Sequence, residues 1–300
     1  MMKKGFWYAL AAYFAWGLLP IYWKLLSKVN AVQMIVHRVV WSFCILIIIV
    51  IITGQMRILI SHLANKRVLL IYAFAAILIG VNWYMYVWAV NSNHIIETSL
   101  GYFINPLISV VFGVLFFRER LRPFQWASLS LALVGVLYLT LMYGRLPWIA
   151  LTLAVSFGLY GLMKKIAPLP SLFGLTLETG FLFIPAVTML VIFEVSGKGY
   201  FLHDSVITSG LLIGAGLVTS VPLLLFASAA QEIPLAMVGI MQYIAPTMQF
   251  LLGLVIFHED FTFFRLIGFG FIWFSLLLFI IEGLVSGRDI AVSAGVGNSA

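Results

Sequence analysis

GYFINPLISVVFGVLFFRERL, residues 101–121, is written a second time as MQYIAPTMQFLLGLVIFHEDF, residues 241–261. At an ungapped offset of 140, Ile104 meets Ile244, Pro106 meets Pro246, Gly113 meets Gly253, Phe117 meets Phe257 and Glu119 meets Glu259. Each copy is apolar over roughly the 20 residues that cross a bilayer, carries a proline in its N-terminal third and ends in a short charged loop. A helix-length unit that recurs at a fixed offset predicts a membrane protein built of two related halves.

Outward from this repeat the whole chain has the same character. Hydrophobic residues make up 63% of the 300 and charged residues 9%, against about 25% charged in soluble domains. The net charge of +7 would suit a nucleic-acid partner in a soluble protein. Here the Lys and Arg residues sit in short loops between apolar blocks, where they set orientation in a lipid bilayer, so no nucleic-acid partner is expected. The single cysteine, Cys44, lies in an apolar run and permits no intrachain disulfide. The N-terminus has the basic start of a signal peptide, but its apolar run is long and bulky and reads as a retained first helix.

Ten spans are predicted: 6–26, 31–53, 68–90, 95–117, 123–142, 146–163, 172–193, 207–230, 234–257 and 263–283. The expected fold is therefore an all-α membrane protein of ten transmembrane helices, in two five-helix repeats over 1–143 and 144–284, with a loose tail over 285–300. The breaks carry turn or charge signals, among them 54–67, 164–171 and 258–260. Sorting loop Lys and Arg by side places Lys3, Lys4, Arg57, Lys66, Arg67, Arg118, Arg120, Arg122, Lys164, Lys165 and Arg288 together, against Lys24, Lys28, Arg145, Lys198 and Arg265. That excess puts both termini in the cytoplasm. Five is odd, so equivalent helices cross in opposite directions, the inverted repeat that secondary transporters use for alternating access. The first helices repeat at an offset of 141, where Gly17, Leu18 and Lys24 meet Gly158, Leu159 and Lys165.

The runs NWYMYVWAVNSNHIIETSLGYFINPL (82–107), QYIAPTMQFLLGLVIFHEDF (242–261) and WGLLPIYWKLL (16–26) closely resemble the RarD-type members of the EamA group, in the drug/metabolite transporter (DMT) superfamily. The resemblance covers nearly the whole chain. It implies a bacterial inner-membrane carrier of ten helices with a central cavity between its halves and a small-molecule substrate. The label "chloramphenicol-sensitive" attached to some members names a phenotype, not a substrate. The loop SNHIIET (92–98) departs from the family pattern.

Intramembrane charge costs about 2.5–3.5 kcal/mol on insertion scales and so marks candidate sites. Arg38 in the second span and Glu178 in the seventh are repeat equivalents of opposite charge. By helical rise they stand about 10 Å apart in depth, which argues against a direct salt bridge. They would suit an amphoteric or polar metabolite, or let Glu178 exchange a proton while Arg38 holds an anion. Arg38 snorkelling to an interface is the alternative. A second group is the polar stripe Thr98, Tyr102, Asn105 and Ser109, matched in the ninth span by Gln242 and Gln249. Pro106 and Pro246 are expected to free carbonyls near Tyr102 and Gln242. Asn82 belongs to the same set. Trp7, Tyr8, Trp83, Tyr84, Tyr86, Trp88, Trp126 and Trp148 cluster toward helix ends and read as interfacial belts, with Trp16, Tyr84 and Tyr243 as the alternative walls of a cavity. These polar residues could instead join neighbouring helices. Glu97 reads as a mouth residue or a solvated one, Glu119 and Glu259 as partners of nearby loop arginines.

No cofactor or metal is expected, and neither HExxH, GxSxG nor a P-loop occurs. An intramembrane enzyme would need catalytic groups converging at membrane depth, which the sequence does not supply. A passive channel of the same fold remains the alternative to a carrier.

Overall fold

The computed structural model describes residues 2–92, 94–144, 146–256, 266–268, 270–279 and 281–282. Eleven helices are bounded there: α1 Met2–Leu25, α2 Ala31–Ile52, α3 Met56–Leu63, α4 Lys66–Asn91, α5 Ile95–Phe117, α6 Pro123–Tyr143, α7 Trp148–Ile166, α8 Ser171–Val195, α9 Val206–Glu232, α10 Leu235–Met241 and α11 Ile244–Val255. Residues 266–268 and 270–279 are also helical, and no strand occurs among the described residues. Local chemistry sets several ends. The Asn30 carboxamide accepts the Val32 N–H at 2.8 Å and starts α2, and the Ser205 hydroxyl accepts the Thr208 N–H at 3.0 Å and starts α9. Gly144, at φ 77°, ends α6 in the left-handed region where glycine carries no steric penalty.

Among the described residues, eight helices are long and apolar enough to cross a membrane: α2, α4, α5, α6, α7, α8, α9 and the α10–α11 pair. Two of the ten predicted spans stand outside that set. α1 is 24 residues long, but Trp7, Tyr8, Tyr13, Trp16, Tyr22 and Trp23 make it aromatic rather than aliphatic. The final span falls only partly on described residues, and the expectations for His258, Glu259, Arg265 and the tail lie outside them. The predicted 54–67 loop contains the short helix α3.

Several helix contacts come in corresponding sets. With α1, α2, α4 and α5 set beside α7, α8, α9 and α10–α11, three sets of contacts correspond: α5 on α7 and α1 on α10–α11; α4 on α7 and α1 on α9; α2 on α9 and α4 on α8; α7 also packs on α9 without an equally extensive α1–α4 contact. α2 on α8 and α5 on α10 join equivalent helices directly. Hydrogen bonds also join helices distant in the chain. Ser128 Oγ donates to the Ser275 carbonyl at 2.6 Å and Ser275 Oγ to the Ser128 carbonyl at 2.7 Å. Tyr243 Oη donates to the carbonyl of its own repeat equivalent, Phe103, at 3.1 Å.

Small residues let these helices close. A Cβ on Gly216 of α9 would lie 2.5 Å from the Trp41 carbonyl carbon and 2.7 Å from the Ser42 nitrogen of α2, and Ser42 Oγ donates to the Gly216 carbonyl at 3.0 Å. Backbone cannot swing aside as a side chain does. Gly216→Ala is therefore expected to destabilise the protein by about 1–3 kcal/mol, read as a lowered thermal midpoint in detergent. Gly210 by contrast faces open space.

Candidate functional site

A cavity of about 200 Å³ lies among α1, α2, α4, α5, α7, α9 and α11. Each helix contributes one stripe. From α1 come Tyr13, Trp16, Pro20 and Trp23; from α4, Ile79, Asn82, Trp83 and Tyr86; from α5, Thr98, Gly101, Tyr102 and Asn105. These spacings of three, four and seven are single helical faces. α2 contributes Arg38, α7 Leu153 and Phe157, and α9 Leu223. Beyond α10, the helix-breaking region and α11 supply Gln242, Ala245, Pro246 and Gln249. Helices far apart in the chain thus build the wall together.

Arg38 is the only charged side chain in that wall among the described residues. Its Nε donates to Thr219 Oγ1 of α9 at 2.8 Å, and its guanidinium carbon lies 4.9 Å from the Trp23 ring centre and 4.8 Å from that of Trp83. Two indoles and a hydroxyl hold the cation in place of a carboxylate. Asn82 Nδ2 donates to the Leu153 carbonyl at 2.9 Å and Ser156 Oγ at 3.0 Å, and Gln249 Nε2 to the Trp16 carbonyl at 3.1 Å. These two amides tie α4 to α7 and α11 to α1 as well as facing the cavity. Tyr13 Oη and Asn105 Oδ1 are buried in the wall without a hydrogen-bond partner.

The predicted residues divide accordingly. Arg38, Asn82, Tyr102, Asn105, Gln242, Gln249 and Pro246 meet at the cavity; Glu178, Tyr243 and Pro106 do not line it. Glu178 is committed elsewhere: Lys164 Nζ donates to its Oε1 at 2.5 Å and Tyr160 Oη to its Oε2 at 3.0 Å. Lys164, placed by its sequence in a loop, lies inside α7 and is 1% exposed, as is Glu178. Tyr243 is turned toward Phe103, as above. Pro106 stays within the continuous α5, whereas Pro246 follows a break between α10 and α11 at which the Ala245 N–H takes up the Gln242 carbonyl at 3.2 Å. The Gln242 carbonyl is therefore not free.

Other expectations change too. Ser109 is buried away from the cavity, and a Cβ on Gly239 of α10 would lie 2.8 Å from its Cβ. Glu97 is buried and accepts the Ile149 N–H at the start of α7 at 3.2 Å. Glu119 accepts the Leu235 and Ala236 N–H groups at 2.6 and 2.8 Å, a carboxylate seated on a helix N-terminus instead of on an arginine. A second hollow, about 350 Å³, lies between Asn30, Gln33 and the 197–200 loop. Its amide, Gln33, is already spent on the Lys198 carbonyl at 2.6 Å and the Tyr200 N–H at 3.2 Å.

Residues 3–141 match the model of the EamA-like transporter family. An uncharacterized transporter of Bacillus subtilis, YojE, is 44% identical over 92% of this chain and 93% of its own. The chain belongs to the EamA-like transporter family.

Its EamA-like relatives include the protein RarD of Streptomyces exfoliatus, 41% identical over 95% of this chain and 91% of that one. The protein RarD of Escherichia coli is 39% identical over 95% and 97%. A solved protein structure at 15% identity superposes with a TM-score of 0.70 over 93% of this chain and 97% of its own, which shows a shared fold. Within this EamA-like chain, Tyr13, Trp23 and Trp83 are cavity residues that sequence reasoning missed, as it missed Thr219, which accepts from Arg38. The available signal was the Tyr13, Trp16, Pro20, Trp23 face of the first helix.

Proposed function

We propose that the chain is a secondary active transporter that carries a small polar molecule across a bacterial inner membrane by alternating access, with both termini in the cytoplasm. The observation that carries this is the cavity built jointly by α1, α2, α4 and α5 and by α7, α9 and α11. In such a carrier, repeats 1–143 and 144–284 are laid in opposite directions, so exchanging their conformations moves the opening from one face to the other.

The asymmetry of the two halves supports a cycle of this kind. At offsets of 140 and 141, Arg38 and Trp23 correspond to Glu178 and Lys164. On the Arg38 side the space is a cavity; on the Glu178 side it is filled by the Lys164–Glu178 pair and by Tyr160, stacked 6.1 Å from Phe226. The ion pair is proposed as the seal on the inner side, which must part when the carrier opens inward. Lys165, beside it, adds a hydrogen bond to the Ile233 carbonyl.

A metabolite library screened for stabilisation of the purified protein, followed by proteoliposome counterflow of each stabilising compound with and without a pH gradient, tests the proposal. A carrier gives saturable flux that is accelerated by substrate on the opposite side. Flux that neither saturates nor shows acceleration would establish a pore instead.

A further inference from the structure

We infer that the cavity takes an organic monocarboxylate bearing one flat apolar ring, with the carboxylate held by Arg38 and the ring by the surrounding indoles. The inference deepens the transport proposal and rests on its choice of the cavity as the substrate site.

Charge decides the first half. Among the described residues no carboxylate pairs with Arg38 or lines the cavity. Thr219 occupies Nε, which leaves the two terminal amino groups to face one carboxylate in bidentate fashion. A guanidinium at membrane depth without a counter-ion is costly, and an anionic ligand supplies that counter-ion. A single positive charge matches a monoanion better than a phosphate monoester, which carries close to two negative charges at neutral pH. An ammonium group would find no acid, because Glu178 is already paired with Lys164. This corrects the amphoteric substrate suggested by treating Arg38 and Glu178 as two poles of one site.

Size and wall decide the second half. A dry cavity of about 150 Å³ holds benzene, so about 200 Å³ admits one ring and a few further atoms. Trp16, Trp23, Trp83 and Phe157 present aromatic surface to that ring.

The test is equilibrium binding of radiolabelled phenylacetate to the purified full-length chain, with unlabelled phenethylamine, phenylalanine and phenyl phosphate as competitors. Saturable phenylacetate binding is expected, with each competitor about tenfold or more weaker, and Arg38→Gln lowering phenylacetate affinity about a hundredfold or more. The competition series needs no variant, so it stands even if Arg38→Gln fails to fold. Absence of saturable phenylacetate binding, or phenethylamine or phenylalanine competing as well as phenylacetate itself, would overturn the inference. Phenylacetate binding without counterflow would sink the transport proposal and leave the anion site standing. Counterflow of a cation would do the reverse.

Discussion

Replacing Arg38 by glutamine is expected to lower substrate flux in proteoliposomes about a hundredfold or more while leaving the folded protein at least as stable as the parent. The magnitude follows from removing two charge-assisted hydrogen bonds, each worth about 1.5–3 kcal/mol, from a site with no other cation among the described residues. The stability follows from the opposite sign of the same charge: a neutral amide at this depth is cheaper to insert than a guanidinium. Function and folding thus separate. Arg38→Lys should fall between, because an ammonium keeps the charge but loses the planar fork and its stacking on Trp23 and Trp83. Flux and thermal unfolding measured on the same preparations check both halves, and unchanged flux in Arg38→Gln would remove Arg38 from the site.

The second large effect falls on the Lys164–Glu178 pair. Breaking it from one side, by Lys164→Met or Glu178→Gln, leaves a buried polar partner without its counterpart. For Lys164→Met, where a carboxylate is stranded beside Tyr160 alone, the loss is about 3–5 kcal/mol. The double variant Lys164→Met/Glu178→Met removes both charges and keeps apolar volume, so it should recover most of that loss. A double-mutant cycle by denaturant unfolding in detergent measures the coupling; losses that simply add would show that the two side chains do not interact. If the pair also seals the inner side, the double variant should spend more time open to that side, seen as faster labelling of a cysteine introduced at Asn82 from the cytoplasmic face.

Much of this arrangement was legible in the residues themselves. The apolar spans were legible because blocks near helix-spanning length recur along the chain, and eight of the described helices are long and apolar enough to cross a membrane. Arg38 stood out because charge is rare in apolar spans. Glu178 was equally visible, but its role was hidden by Lys164. Two adjacent lysines before Ala167 and Pro168 look like the end of a span, whereas α7 continues to Ile166. That extra turn sets Lys164 four residues beyond Tyr160 on one helical face, and both reach Glu178. The aromatic wall was obscured for a different reason: Trp and Tyr near helix ends normally mark the membrane interface, and only their three- and four-residue spacing separates a cavity stripe from a belt. Glu119 was beyond reach from sequence, because its partners are main-chain N–H groups 116 and 117 residues away.

The central claim, that two copies of one fold lie in the bilayer in opposite directions, is tested most directly by sidedness. In a Cys44→Ala background, single cysteines at Arg118 and at His258 would be labelled with a membrane-impermeant maleimide in intact cells and in inverted vesicles. The account requires position 118 to react from the cytoplasm and position 258 from the opposite face. Reaction of both from the same face would contradict it.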